Sequence, residues 1–486
     1  MAESFLRDKR GIAIITTTLA LFVIIPLVGL AIDLTTLYLV KTKLLAATDA
    51  AVLAGARALG QAPDPSAQRA RAQAAAIKFF HANWPDGYWG TSDLVFPTPV
   101  VDDTSNPDYR TITATASVQA PIYFMRVLGG DRSTVTVRSQ ASRRDAVVIL
   151  VLDRSSSMNR LVAGTGRTAC AIMKDDAIEF TKYFAPGRDL LGLVVFNSAQ
   201  YTYRARTDFN TPDASGNTIT SIIQQIQCNA NTASAEGLQA AWNEIQRINS
   251  STKANVVVFM TDGIPNGVTG NFFSYRIPPC GAAVAPMVGV LAQWANNAPT
   301  GTTAGLMKRS VNSVTADASY STENTENCRF RSNLNQVRYD VTRMPEYDYY
   351  GNALAGPYST YSNPYVSFFG SPANLTRVDL PREITKASAN AVDNLGTAMR
   401  SNTSLKPMIY TIGLNTDPTG SDVPDEQLLM KLANDPALAT APGPGPIFYQ
   451  QQLNQTRGIY VNAPDATQLQ FAFDTIATHI VVRLSH

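Results

Sequence analysis

Two carboxylates and three hydroxyls stand out in three short segments of this 486-residue chain. Asp153, Ser155 and Ser157 share the first segment, Asp-Arg-Ser-Ser-Ser, whereas Thr232 and Asp262 lie in the second and the third. An all-oxygen set suits a hard divalent cation, Mg²⁺ first and Mn²⁺ or Ca²⁺ as alternatives, with water completing the coordination shell. The enzymatic alternative is a phosphatase- or protease-like metal site, but the hydroxyls are neutral and no positioned base accompanies them. The pattern therefore indicates metal-dependent binding and no enzymatic activity.

Runs of apolar residues precede the first and third segments. Residues 146–152 lead directly to Asp153, and residues 256–260 lead through Thr261 to Asp262. Each run is short and continuous, which is typical of a strand buried on both faces of a parallel sheet. Because open α/β folds place their sites at the carboxyl ends of such strands, we expect the polar side chains to meet at one edge of the sheet.

The three segments, in this order, closely resemble the metal-ion-dependent adhesion site (MIDAS) of von Willebrand factor A (vWA) domains. Thr232 opens a segment similar to the family's T-x-T-x-x-A-L, with Ser234 in place of the second Thr and Gly237 in place of the Ala. The resemblance implies a doubly wound, Rossmann-like vWA domain.

The same resemblance implies a role for each of the five site residues. Ser155, Ser157 and Thr232 would contact the metal directly, while Asp153 and Asp262 would act mainly through water. The family leaves one coordination position open, and an acidic side chain of a protein partner fills it. The implied function is metal-mediated protein binding.

The other elements of a vWA domain can be placed along the chain. The apolar pattern predicts helices at residues 174–184, 219–226, 234–248 and 465–484, and strands at residues 190–196, 201–206, 408–414 and 458–461. Residues 267–380 form an insertion after the Thr-Asp-Gly segment, and a helix begins near Pro381. The Tyr-, Asn-, Ser- and Pro-rich composition of the insertion indicates an irregular surface, either a recognition surface or a cap without a binding role.

An uncharged segment near the N-terminus is long enough to cross a membrane. Residues 11–32 would extend about 33 Å as a helix. The segment is longer than the core of a usual signal peptide, and no small-residue cleavage site follows promptly, which favours an uncleaved anchor. Arg7, Lys9 and Arg10 place the N-terminus in the cytoplasm, although lysines beyond the span weaken this bias. We expect a single-pass protein with most of the chain periplasmic or surface-exposed.

This anchor and the Ala-rich helix after it resemble the N-terminal segment of TadG-like proteins of Flp pilus assembly. Gly11 after a basic residue, Asp33 at the outer edge of the span, Asp49 and residues 53–56 match the family pattern. Thr16 stands where processed pilins of this type carry a Glu, which argues against prepilin-peptidase cleavage and for a permanent anchor. The resemblance implies a location in a bacterial inner membrane.

A small α+β, pilin-like stalk is expected between the anchor and the vWA domain. Helices are predicted at residues 66–84 and 122–128, and strands at residues 93–101, 111–119 and 133–140. The predicted domains are residues 1–60 (cytoplasmic tip, transmembrane helix and helical extension), residues 61–143 (stalk) and residues 144–486 (vWA domain with its insertion).

Four cysteines in a region outside the cytoplasm indicate disulfides, and four cysteines allow three pairings. The placement of the vWA elements puts Cys170 and Cys228 at the metal end of the sheet and Cys280 and Cys328 in the insertion, so we predict these two pairs. Long spacings without a nearby His disfavour zinc. A net charge of +2 with interspersed signs gives no support for a nucleic-acid partner.

Together, these features predict a membrane-anchored component of a tight-adherence (Flp-type) pilus assembly system. Its partners would be other pilus-assembly proteins or pilin subunits, bound through the MIDAS. Two alternatives stay open: a membrane-tethered vWA adhesin or scaffold unconnected with pili, and a minor pilin incorporated in the fibre.

Overall fold

The computed structural model describes most of the chain as two compact units, which divide between Arg144 and Asp145. The described residues are 9–62, 64–106, 108–128, 130–273, 286–294, 302–317, 345–354, 379–416, 423–440 and 452–484. Arg7, Cys280 and Cys328 lie outside the described residues. The assignment of three domains stays a prediction.

The first unit begins with helix α1, Lys9–Ala58, which is 50 residues long. All side chains from residue 14 to residue 28 are exposed, and burial begins at Gly29. From there, buried residues recur every three or four positions, so one face of the helix packs on the rest of the unit. Among the described residues, Ile14–Ala58 is the one helix whose length and composition would allow it to cross a membrane.

Helix α2, Pro65–Asn83, and a four-stranded antiparallel sheet complete the first unit. The strands are β1 Ser92–Val95, β2 Val100–Asp102, β3 Tyr109–Pro121 and β4 Arg132–Arg144. Strand β3 pairs with β4 along its whole length, and β1 and β2 share its other edge. Alternate residues of β3 are buried in one cluster with apolar residues of both helices, which explains why its apolar residues recur every second position.

Two predictions for this unit need correction. The single strand predicted at residues 93–101 is two short strands, because Pro97 and Pro99 have no N–H to donate to a continuous ladder. The helix predicted at residues 122–128 is a 3₁₀ turn, Met125–Leu128. The helix predicted at residues 66–84 and the strands predicted at residues 111–119 and 133–140 are present close to those positions.

The second unit is built on a six-stranded sheet. The strands are β5 Ala146–Asp153, β6 Leu190–Phe196, β7 Gln200–Arg206, β8 Ala254–Thr261, β12 Met408–Leu414 and β13 Tyr460–Ala463. Their order in the sheet is β13-β12-β8-β5-β6-β7, parallel except for β7, which runs antiparallel to β6.

Helices cover both faces of this sheet. Helices α3 Ala169–Thr181, α4 Ile219–Gln225 and α8 Leu469–Leu484 pack on one face, and α5 Ser234–Ile248, α6 Asp379–Arg400 and α7 Glu426–Ala433 pack on the other. In β5, Val148, Leu150 and Leu152 face the first layer, while the alternate residues face the second. Burial on both faces explains the continuous apolar run, and the predicted mixed α/β fold class with a doubly wound vWA domain is confirmed.

The insertion departs from the prediction of an irregular surface. Its described part contains an antiparallel sheet of β9 Gly267–Phe273, β10 Pro286–Trp294 and β11 Thr302–Met307. Val268, Phe272 and Leu291 are buried in the same cluster as α5 and α6. These apolar residues extend the core of the vWA unit, so composition alone was a poor guide to the regularity of this segment.

Candidate metal centre

Asp153 ends β5 beside the end of β8. The two strands are in parallel register, with Leu152 opposite Met260, so Asp153 and Thr261 reach the same edge of the sheet. The Thr261 hydroxyl donates to Oδ2 of Asp153 at 2.5 Å, and the Ser155 backbone N–H donates to Oδ1 at 2.7 Å. Burial raises the pKa of the Asp153 carboxyl to about 6, although these hydrogen bonds act in the opposite direction.

Asp262 joins the two serines of the first segment. The Ser157 hydroxyl donates to Oδ1 of Asp262 at 2.7 Å, and the Ser155 hydroxyl donates to the same oxygen at 3.2 Å. The two hydroxyl oxygens are 2.9 Å apart. Four of the five predicted site residues therefore lie in contact through their side chains or the adjacent backbone at one edge of the sheet.

Thr232 lies in the loop before α5 and meets the other segments through its backbone. Its N–H donates to Oδ1 of Asn266 at 2.7 Å, and its carbonyl accepts from the Asn266 N–H at 2.9 Å. Two residues earlier, the Ala230 carbonyl accepts from the N–H and the hydroxyl of Ser156, at 3.0 and 2.9 Å. The structure thus brings all three segments together, with Thr232 in the middle one.

Thr416 is a further hydroxyl at this edge that the sequence prediction missed. It follows β12, the neighbour of β8, and its hydroxyl donates to Oδ2 of Asp262 at 2.9 Å. The sequence signal that could have predicted Thr416 is its position as a polar residue just after the predicted strand at residues 408–414. Asn266 was missed as well, although it follows the Thr-Asp-Gly segment by only a few residues.

Arg154, the second residue of the first segment, is fully buried and ties the insertion to the site. Its guanidinium donates to the carbonyls of Gln227 at 3.1 Å, Val314 at 3.2 Å and Ala316 at 2.8 Å. Burial lowers the pKa of Arg154 to about 10, while the charges of Asp317 and Asp153 act against that shift. The segment that follows β11 is therefore held beside the loop that leads to Thr232.

The predicted disulfide between Cys170 and Cys228 is present, with the Cα atoms 6.3 Å apart. It links the first turn of α3 to the loop before Thr232. The Cys228 carbonyl also accepts a 2.6 Å hydrogen bond from the side-chain amide of Asn159. The predicted pair of Cys280 and Cys328 lies outside the described residues and stays a prediction.

The chemistry of these side chains fits a hard cation better than a soft one. Carboxylate and hydroxyl oxygens make up the set, and the described parts of the chain contain no group of three His, Cys, Asp or Glu side chains that could hold a metal. A site with two carboxylates and several neutral hydroxyls carries a low negative charge. Such a set leaves a divalent ion able to attract one more carboxylate.

This fold, with its polar loops at the carboxyl edge of a doubly wound sheet, defines a vWA domain. Residues 148–264 match the family described as von Willebrand factor type A domain. Residues 11–58 match the family described as Flp pilus-assembly TadE/G-like. The two matches confirm the resemblance seen in the sequence: the chain contains a vWA domain, and its N-terminal segment is similar to that of TadG-like pilus-assembly proteins.

Several solved structures of pilus proteins are similar to this chain. The PilB minor pilin from Streptococcus sanguinis is 15% identical, over 82% of this chain and 80% of that one, with a TM-score of 0.36. The pilus adhesin SpaC from Lactobacillus rhamnosus GG is 12% identical, over 82% of this chain and 35% of that one, with a TM-score of 0.36.

The vWF domain of the type V pili tip protein Mfa5 from Porphyromonas gingivalis is 14% identical, over 71% of this chain and 97% of that one, with a TM-score of 0.32. At TM-scores this low, nothing about the function of this chain is concluded from the three structures. A comparison with curated proteins gave no match.

Proposed function

We propose that this pilus-associated vWA protein is an anchored component of a tight-adherence pilus assembly system and binds its protein partner through a metal ion at the MIDAS. The observation that carries the proposal is the meeting of Ser155, Ser157 and Asp262, whose side-chain oxygens lie 2.7 to 3.2 Å apart. Carboxylate and hydroxyl oxygens gathered from loops far apart in sequence supply the kind of ligand that a hard divalent cation takes.

The residues that would hold the ion are Asp153, Ser155, Ser157, Thr232 and Asp262. A divalent ion held there would supply a binding position for an acidic side chain of an assembly protein or a pilin subunit, as the resemblance to the MIDAS implies. Thr261 and the Ser155 backbone hold the Asp153 carboxylate in place, so its charge would face a bound ion from a fixed position. Binding and orientation are the whole chemistry, and we propose no enzymatic step.

The proposed location is the bacterial inner membrane, with residues 11–32 in the bilayer, the N-terminus in the cytoplasm and the vWA domain in the periplasm. The disulfide between Cys170 and Cys228 supports this, because disulfides persist in oxidising compartments. We assign residues 1–60 to the anchor region, residues 61–143 to the stalk and residues 144–486 to the vWA domain.

Adjacent serines offer a matched test of the metal site. Ser157 donates to Asp262, whereas the neighbouring Ser156 hydroxyl donates to the Ala230 carbonyl. We expect calorimetric titration of the full-length protein in nanodiscs to show one site for Mg²⁺ or Mn²⁺. Ser157→Ala should weaken binding by roughly tenfold or more, and Ser156→Ala should leave the affinity close to the wild-type value. Equal affinities in the two variants would contradict the assignment.

Partner binding is tested by purifying the tagged protein from the membranes of its own cells. We expect pilus-assembly proteins or pilin subunits to co-purify in Mg²⁺ buffer and to be lost in chelator or with Ser157→Ala. If these partners are retained without the metal, the protein associates with pilus-assembly proteins but does not bind them through the MIDAS. Recovery of the protein in sheared fibres would favour the minor-pilin alternative over a fixed anchor.

A further inference from the structure

Three large side chains of the first unit are exposed in a row. Tyr123, Phe124 and Met125 follow β3, and their exposed fractions are 53%, 45% and 36%. Contiguous apolar and aromatic side chains that are exposed on a folded domain mark an interaction surface. The part of α1 beside which these three residues lie indicates what the surface contacts.

The backbone of these three residues is fixed to α1 by Asp33. The buried carboxylate accepts the N–H of Tyr123 at 2.9 Å, that of Phe124 at 3.0 Å and that of Met125 at 2.7 Å. Gly29, one helical turn earlier, leaves space for the Phe124 ring, since a Cβ at position 29 would lie 2.6 Å from Cγ of that ring. The exposed row is therefore held at the turn of α1 between Gly29 and Asp33.

This turn is where the membrane span must end. Residues 11–32 are uncharged, and side chains 14–28 are all exposed, so the sheet packs on α1 only from Gly29 onward. A helix of 22 residues is about 33 Å long, close to the roughly 30 Å thickness of the hydrocarbon core. When the uncharged segment fills the bilayer, the row from Tyr123 to Met125 lies at its outer boundary.

The neighbouring side chains have the chemistry of that boundary. Trp89 is 52% exposed, and its turn lies beside α1. The Tyr123 hydroxyl is 3.8 Å from the position that a Cβ on Gly90 would occupy, which brings the Trp89 turn and the row together. Arg126 is exposed directly after the row. Trp and Tyr rings favour the headgroup region, and an Arg there can bind lipid phosphates.

We propose that Trp89, Tyr123, Phe124 and Met125 form a lipid-contacting rim that seats the first unit on the outer surface of the membrane. The proposal rests on the membrane anchoring proposed above and goes beyond it, because an anchor alone requires no contact between the sheet and lipid. The rim fixes how deeply α1 sits in the bilayer. It also holds the sheet against the headgroups.

Photocrosslinking to lipid tests the rim, with a control residue at the far end of the strand that precedes it. The full-length protein is reconstituted in nanodiscs of phosphatidylethanolamine and phosphatidylglycerol, with p-benzoylphenylalanine replacing either Tyr123 or Tyr109. Tyr109 is 43% exposed at the opposite end of β3, about 40 Å away at roughly 3.3 Å per residue. Mass spectrometry then measures the yield of lipid adducts after irradiation.

We expect lipid adducts at position 123 at a yield several-fold above that at position 109. Equal yields, no adduct at position 123, or adducts there only to a protein partner would overturn the rim. Flotation of the same samples tests the anchor separately. Protein that floats without a position-123 adduct refutes the rim alone, whereas protein that fails to incorporate refutes both the anchor and the rim.

Trp89 supplies a second readout that leaves Tyr123 unchanged. Lipids brominated near the headgroup should quench part of the wild-type tryptophan fluorescence, and Trp89→Phe should remove most of the quenched part. Quenching that is the same in wild type and Trp89→Phe would contradict the proposal, because the remaining tryptophans would then account for it.

Discussion

The hydroxyl of Thr416 donates a 2.9 Å hydrogen bond to Oδ2 of Asp262, which connects the loop after β12 to the loop after β8. The two strands are neighbours in parallel register, with Gly413 opposite Thr261. Asp262 therefore receives hydroxyls from both sides, because Ser157 donates to its other oxygen. The orientation of this carboxylate depends on three separate loops.

From this contact we predict that Thr416→Val weakens divalent-cation binding by roughly tenfold, in the range seen when a residue that orients a ligand is removed. Val keeps the shape of Thr but cannot donate to Asp262. Thr416→Ser keeps the hydroxyl and serves as the control. Calorimetric titration with Mg²⁺ or Mn²⁺ measures the effect, and an unchanged affinity in Thr416→Val would show that Thr416 does not position Asp262.

A buried carboxyl in α5 makes the stability of the vWA unit depend on pH. Glu236 accepts hydrogen bonds from the hydroxyls of Thr269 and Tyr350, both at 2.6 Å, and so joins α5 to the insertion. Burial raises the pKa of Glu236 from 4.5 to about 7, although these hydrogen bonds lower it. Between these two values the unfolded chain releases the proton while the folded chain keeps it.

The free energy of unfolding should therefore fall by about 3 kcal/mol from this group as the pH rises through this window, and level off above it. We expect Glu236→Gln to remove this part of the pH dependence. The exposed residue Glu346 supplies the control, Glu346→Gln. Urea unfolding of both variants and the wild type at the two ends of the window measures the difference. An unchanged pH dependence in Glu236→Gln would show that another group is responsible.

The disulfide between Cys170 and Cys228 should stabilise the vWA unit and its metal edge. Its cysteines are 58 residues apart, and closing a loop of this length contributes about 4 kcal/mol in the chain-entropy model. We expect the double variant Cys170→Ala and Cys228→Ala to lose about that free energy of unfolding in urea. Peptide mapping without reduction should find this pair and a second pair of Cys280 and Cys328. Crossed pairs would refute the predicted connectivity.

The N-terminus should be retained, since Thr16 occupies the position where processed pilins carry a Glu. We expect membrane fractions to contain the full-length chain, beginning at Met1 or Ala2. A mature protein beginning at Ile12 would show cleavage after Gly11. In that case the chain would be better interpreted as a minor fibre subunit than as an anchor.

The sequence alone determined the elements whose pattern is local. The apolar runs before Asp153 and Asp262 predicted two buried parallel strands, and both are present as β5 and β8. Parallel strands in one sheet end at the same edge, so the convergence of their loops could be predicted without coordinates. The anchor helix was predicted on similarly local grounds, from charge and length, whereas the Cys170–Cys228 pair was predicted from where the resemblance to vWA domains places the two cysteines.

Tertiary structure decided what depends on neighbours that are distant in sequence. Thr416 meets Asp262 because β12 lies beside β8, and Arg154 binds carbonyls of the insertion because a chain segment more than 150 residues later returns to the site. The described part of the insertion forms a regular sheet, and its residues Val268, Phe272 and Leu291 are buried in the same cluster as α5 and α6, which the polar composition of the segment did not indicate. A local sequence pattern predicts which face of a helix or strand is buried. Which other element covers that face depends on the packing of the whole unit.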